Sequence, residues 1–156
     1  MRLGLAIAVV VALADQASKA WVLKFFDQHP GAPLAPVTSY FNLVLTMNRG
    51  MSFGLFSSGA INALIFALVA AAIVAALLAW LARTGDPLLR SAIGLVIGGA
   101  VGNVADRLVR GAVVDFLDFH LGALHWFAFN LADAAISVGV ALMVIDGLRS
   151  RREARN

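Results

Sequence analysis

The sequence predicts an all-α membrane protein of four transmembrane helices, joined outside the membrane by two longer loops. Three observations predict it. Of 156 residues, 61% are hydrophobic and 13% charged, whereas a soluble domain carries roughly half apolar and a quarter charged residues. Apolar runs of about 20 residues, the length a bilayer demands, cover 3–25, 60–82, 91–108 and 130–148. The basic residues are distributed unevenly. Arg2, the Arg83/Arg90 turn and the tail of Arg149, Arg151, Arg152 and Arg155 fall on one side of four spans. The bias toward basic cytoplasmic segments places both termini in the cytoplasm and the loops 26–59 and 109–129 at the outer face. We read 1–156 as a single integral-membrane unit. A basic tail beside an apolar run is a cytoplasmic anchor rather than a nucleic-acid surface. With no cysteine in the chain, disulfides, thiolate metal sites and cysteine nucleophiles are excluded.

The first run opens after Arg2. It resembles a cleaved signal peptide up to Ala12-Leu13-Ala14, but apolar character resumes from Ala20 to Phe26, so it is read as a span. Asp15 and Lys19 stand four apart, on one helix face, where they can neutralise each other. Pro30, Gly31, Pro33 and Pro36 then exclude helix. In Tyr40–Asn48, Phe41, Leu43, Leu45 and Met47 alternate with Asn42, Val44, Thr46 and Asn48, a period of two that predicts a strand. Residues 60–82 lack charge and proline and serve to cross and pack. The third span carries Gly94, Gly98 and Gly102 every four residues, a stripe that lets helix backbones approach closely. Asn103, Asp106 and Arg107 follow within about one turn and should face the bundle interior. The second loop holds Phe116, Phe119, Trp126, Phe127 and Phe129, which suit an interfacial aromatic belt. Asn130 and Asp133 open the fourth span.

Two aspartates at the edges of apolar runs are the best candidates for chemistry. The segment between Asp115 and Asp133 is short enough to fold back and bring them together. Paired carboxylates hold one proton between them. The ionised member removes a proton from water, while the protonated one polarises a scissile carbonyl. Bland readings stand beside this: Asp133 as a capping-box acid three residues after Asn130, and Asp115 as a loop acid. Asp118 and Asp106 are neighbouring acids. Gly50-Met51-Ser52-Phe53-Gly54 matches the G-x-S-x-G serine signature, with His120 and His125 as available bases. That motif has meaning on a strand-to-helix elbow that this chain cannot build. Three histidines without H-E-x-x-H make a zinc site improbable, and no metal is expected. A transporter relaying protons through Asp15, Lys19, Asp106 and Asp133 is the third class; it leaves the strand-bearing loop unexplained.

These residues also form a series of motifs. Asp15-Gln16 with Lys19, Asn48-Arg-Gly-Met-Ser-Phe53, Gly98-Gly-Ala-Val-Gly-Asn-Val-Ala-Asp-Arg107, Val113-Val-Asp-Phe116 and Phe129-Asn-Leu-Ala-Asp133 occur in order on four spans. In this the chain resembles the lipoprotein signal peptidase (signal peptidase II) family. The resemblance implies a membrane aspartic endopeptidase of the bacterial plasma (inner) membrane, working at its outer face. It would cut diacylglyceryl-modified prolipoproteins just before the lipidated cysteine. Asp115 and Asp133 would be the dyad. Asn48, Gly50, Asn103, Asp106, Arg107 and Asn130 would line or support the site, and Asp15 and Lys19 would support the core or the substrate path. The strand loop would form a small extracytoplasmic β-cradle, with an outer-face loop between spans 3 and 4. The resemblance implies no cofactor. It further implies substrate and lipid as partners and inhibition by globomycin-type cyclic peptides.

Overall fold

A computed structural model describes residues 1–31, 34–49 and 59–153, without the side chains of 59–66 and 150–153. Four helices carry the chain: α1 (Arg2–Gln28), α2 (Gly59–Arg83), α3 (Pro87–Arg110) and α4 (Leu131–Glu153). Each begins and ends within a few residues of its predicted run. Among the described residues, Arg2–Gln28, Pro87–Arg110 and Leu131–Arg149 are long and apolar enough to cross a membrane, and Ala67–Arg83 forms a shorter apolar helix.

Helix α3 is the hub, packing against α1, α2 and α4. Its start is set by Asp86, whose carboxylate accepts a hydrogen bond from Leu89 N at 2.8 Å, with Pro87 at the first helical position. A capping acid and a proline with no N–H to lose both suit a helix start. The glycine stripe does the packing predicted for it. A Cβ on Gly98 would fall 2.6 Å from Ala8 O, and one on Gly94 would strike the Gly4 carbonyl. Gly99 meets α4 in the same way, 2.5 Å from Ala132 O. Large side chains fill the core between α1, α2 and α3, including Leu81, Ile93 and Ile97.

Beyond the helix ends lies a four-stranded antiparallel sheet: β1 (Leu34–Thr38), β2 (Phe41–Asn48), β3 (Val113–Leu121) and β4 (Leu124–His125), in that order. The predicted strand is β2. Strand β1 holds Pro36 because it is an edge strand, where a missing N–H costs no ladder bond. Val22 and Phe26 of α1 pack against Leu43, Val114 and Phe116, seating the sheet on the C-terminal end of α1.

Two expectations need correction. The segment 109–129, expected as a loop, supplies β3 and β4 and so half of the sheet. Residues 113–116 and Asp118 are all buried, on both faces of the strand. The in-out alternation that reveals a strand from sequence is therefore absent. Within β2 the apolar set is also not the buried set: Asn42 is buried whereas Leu45 and Met47 are exposed. Asn42 is buried because it donates to Asp118 Oδ2 at 3.0 Å.

Candidate active site

The site lies where α3, β3 and α4 meet. Helix α3 ends at Gly111, whose φ of 72° turns the chain and whose N–H bonds Arg107 O at 3.1 Å. Glycine takes this left-handed conformation without a Cβ penalty. Asp106 Oδ2 then grips Val114 N at 3.1 Å, fixing where β3 starts and so where Asp115 falls. Further on, the chain folds back as predicted. Phe129 pairs with Leu117, its carbonyl accepting from Phe116 N and Leu117 N at 3.0 and 2.8 Å. This brings Asn130 alongside Asp115.

Asn130 is fully buried and touches both acids. Its Nδ2 donates to Asp115 Oδ1 at 2.7 Å, its Oδ1 accepts from Asp133 N at 2.9 Å, and its own N–H donates to Asp133 Oδ2 at 3.4 Å. The last two contacts form the capping box read from the sequence. That reading and the catalytic one do not compete: the cap holds Asp133 in the site. Asp115 receives a second amide from β2, with Asn48 Nδ2 3.0 Å from Oδ2. Asp133 receives one from α3, with Asn103 Nδ2 2.8 Å from Oδ1. Asn103 Oδ1 in turn accepts from Asn130 Nδ2 at 3.2 Å and Lys19 Nζ at 3.1 Å. Those acceptor contacts hold the Asn103 amide with its NH₂ toward Asp133.

Burial pushes the Asp115 carboxyl above its usual range, opposed by the Asn48 and Asn130 amides and reinforced by the charge of Asp133. Arg107 adds a positive field felt by Asp133 and Asp115, and its guanidinium donates to Asn103 O at 3.3 Å.

Beneath this lies a second cluster. Lys19 is fully buried, with Nζ 2.8 Å from Asp15 Oδ2 and 2.9 Å from Asp106 Oδ2. Arg110 pairs with Asp106 on its other oxygen. Asp15 reaches across to α4, accepting from Ala132 N at 3.0 Å. A carboxylate from α1 thus occupies the N-terminus of α4, where a helix favours negative charge. Gly102 makes room for it, since a Cβ there would sit 2.5 Å from Asp15 Oδ2.

Nine of the ten predicted site residues fall in these two linked clusters; Gly50 lies outside the described residues, as do Ser52 and the rest of the serine motif. Sequence reasoning passed over two members. Gln16 Nε2 donates to Asp106 Oδ1 at 3.0 Å and to Gly102 O at 3.1 Å. Arg110 was legible as the residue four after Asp106; Gln16 stood beside Asp15 in the first motif but was given no role. Asp118 leaves the contest. Three positions from Asp115 on a strand it points to the opposite face, where Asn42 and then His125 hold its carboxyl below the usual range. His120 and His125 pair across β3 and β4 with rings stacked at 4.9 Å, about 16 Å along the strand from Asp115. Among the described residues no histidine and carboxylate group fit to hold a metal is present.

A helical membrane protein with two carboxylates gathered by asparagines under a small sheet is the class this geometry defines. Residues 7–149 match the family model described as signal peptidase (SPase) II. A lipoprotein signal peptidase of Paraburkholderia phymatum is 45% identical over 153 residues, covering 97% of this chain and 90% of that one. Another, from Burkholderia cenocepacia, is 52% identical over 155 residues with the same coverage. A solved structure described as a bacterial membrane enzyme superposes with a TM-score of 0.80 at 27% identity, covering 95% of this chain and 94% of its own. The chain belongs to the signal peptidase II family and is a membrane peptidase.

Proposed function

We propose that this protein is an aspartic endopeptidase that removes the signal peptide from diacylglyceryl-modified prolipoproteins, cutting on the N-terminal side of the lipidated cysteine. The observation that carries the reading is Asn130, which bonds Asp115 through its side chain and Asp133 through its cap. Water between the acids loses a proton to the ionised carboxylate as it attacks the scissile carbonyl. The protonated partner donates to that carbonyl oxygen, and a proton passes to the leaving amine. Asn103 and Arg107 orient Asp133, Asn48 orients Asp115, and Asp15, Lys19 and Asp106 hold the helices that carry them. No metal or cofactor takes part.

All four helices cross the plasma membrane, with both termini cytoplasmic and the dyad at the outer face. The basic residues Arg2, Arg83 and Arg90 and the arginine tail support that orientation. A substrate anchored by its own lipid enters sideways from the bilayer, and its anchor sets the depth of the scissile bond. Globomycin-type cyclic peptides would compete for the same cradle.

The test is cleavage of a diacylglyceryl prolipoprotein by the purified protein in lipid. Asp115→Asn and Asp133→Asn should each abolish cleavage, whereas Ser52→Ala should retain it. The reverse pattern would establish the serine reading instead. Proton flux in liposomes without proteolysis would favour the transporter.

A further inference from the structure

Toward the C-terminal end of α2, Leu77 and Leu81 pack with Ile93 and Ile97 of α3. Toward its other end that contact gives way to a groove of about 300 Å³, lined by Ala67, Ala70 and Ala71 of α2 and by Val104, Ala105 and Leu108 of α3. Every residue that lines it is Ala, Val or Leu. The sequence supplies the cause. Where α2 carries leucines it fills the space to α3, and where it carries alanines it leaves the space open.

We propose that this groove takes one acyl chain of the substrate's diacylglyceryl group, and so sets the direction in which the lipidated cysteine leaves the scissile bond. The proposal rests on the peptidase reading above. Three observations choose this occupant. The first is width. The lining on α3 runs from Val101 to Leu108, about 10 Å of helix. A volume of about 300 Å³ over that length gives a cross-section of roughly 30 Å². A helix about 10 Å across needs roughly 80 Å². Neither a signal helix nor a helix of a second copy fits, whereas an extended hydrocarbon chain does. The second is polarity. No lining side chain offers a hydrogen bond, so an extended peptide there would leave its backbone groups unpaired. The third is continuity with the candidate active site. Leu108 follows Arg107 directly, about a third of a turn round α3. Asn103, which donates to Asp133, lies about 9 Å from Leu108 along the backbone of that helix. A thioether-linked glycerol can bridge such a gap.

In a bilayer an acyl chain gains no hydrophobic free energy by entering this groove, because lipid tails are equally apolar. The gain comes from the tether. A chain joined to the cysteine beside the dyad is held at the mouth of the groove, and its effective concentration there exceeds that of free lipid tails.

The test fills the groove. Ala71→Phe should raise KM for a dipalmitoylglyceryl prolipoprotein about tenfold with kcat unchanged, and should leave KM for a dibutyrylglyceryl form as in the parent. An unchanged KM for the long-chain form would overturn the proposal. A second measurement needs neither turnover nor a substitution in the groove. The Asp115→Asn protein, in phosphatidylcholine nanodiscs, is irradiated with a prolipoprotein carrying a diazirine midway along one acyl chain. Labelling should fall on residues 67–74 and 101–108. Labelling confined to other segments would overturn the proposal. So would labelling of those two segments by a diazirine phosphatidylcholine that excess substrate does not reduce, because the occupant would then be ordinary membrane lipid. Should Ala71→Phe lose both substrates through misfolding, the labelling decides alone. If the parent cleaves no prolipoprotein, the peptidase reading fails, while the labelling still reports what the groove holds.

Discussion

Asp15 and Asp106 differ from Asp115 and Asp133 in what faces them, though the two pairs share one linked network. The first two are in direct ion pairs with Lys19, and Asp106 also with Arg110. The second two accept hydrogen bonds from the neutral amides of Asn48, Asn103 and Asn130, with Arg107 adding a positive field at both. A cation at contact distance fixes a carboxylate as an anion and makes it structural. An amide orients a carboxylate without neutralising it, which is what the proposed dyad requires. Asn103 is the joint between the pairs, accepting from Lys19 and donating to Asp133.

The sharpest way to break this contrast is at the proposed dyad. Asp133→Asn should lower turnover by about 10³-fold or more, while the thermal unfolding midpoint in detergent stays near that of the parent. A large drop in stability with residual turnover would place Asp133 among the structural acids. Next in size is Lys19→Met, which leaves Asp15 and Asp106 buried beside a neutral chain. Breaking a buried pair from one side costs about 3–5 kcal/mol, to be read from equilibrium unfolding. Gly102→Ala should cost less, about 1–3 kcal/mol as an overpacked contact, because its Cβ collides with the Asp15 carboxylate. It should also weaken the hold of Asp15 on α4, visible as faster amide exchange at Ala132.

The smallest effect separates two acids on one strand. Carboxyl NMR in micelles should show Asp115 titrating above the ordinary value of 3.8 and Asp118 below it. The signs for stability are opposite. The raised Asp115 makes a contribution that is complete below 3.8 and fades as pH rises through its folded value. The lowered Asp118 makes one that is complete above 3.8 and fades as pH falls through its folded value. Removing the amide with Asn48→Ala should move Asp115 further up, and Asn42→Ala should move Asp118 up toward 3.8.

Much of the site was readable because its chemistry is local. Asp15 and Lys19 at four apart, Asn130 and Asp133 at three apart, and the stripe of Gly94, Gly98 and Gly102 each follow from helix geometry alone. Strand β3 was not readable. Both of its faces are covered over residues 113–118, so that stretch shows no alternation, and its partners come from β2, about 70 residues earlier in the chain. The edge strand β1 was hidden by Pro36, and Gln16 by lying more than 80 residues from the groups it bonds.

By itself the sequence determined the solvent of this protein, the four apolar runs, the packing stripe and the identity of the acids, since composition and short-range period decide all of these. Only the tertiary structure decided which acids pair with Lys19 and which are gathered by asparagine amides. That choice depends on Asn48, Asn103 and Asn130 arriving from β2, α3 and the start of α4. Such a meeting is fixed by strand register and helix approach, which no spacing within one segment encodes.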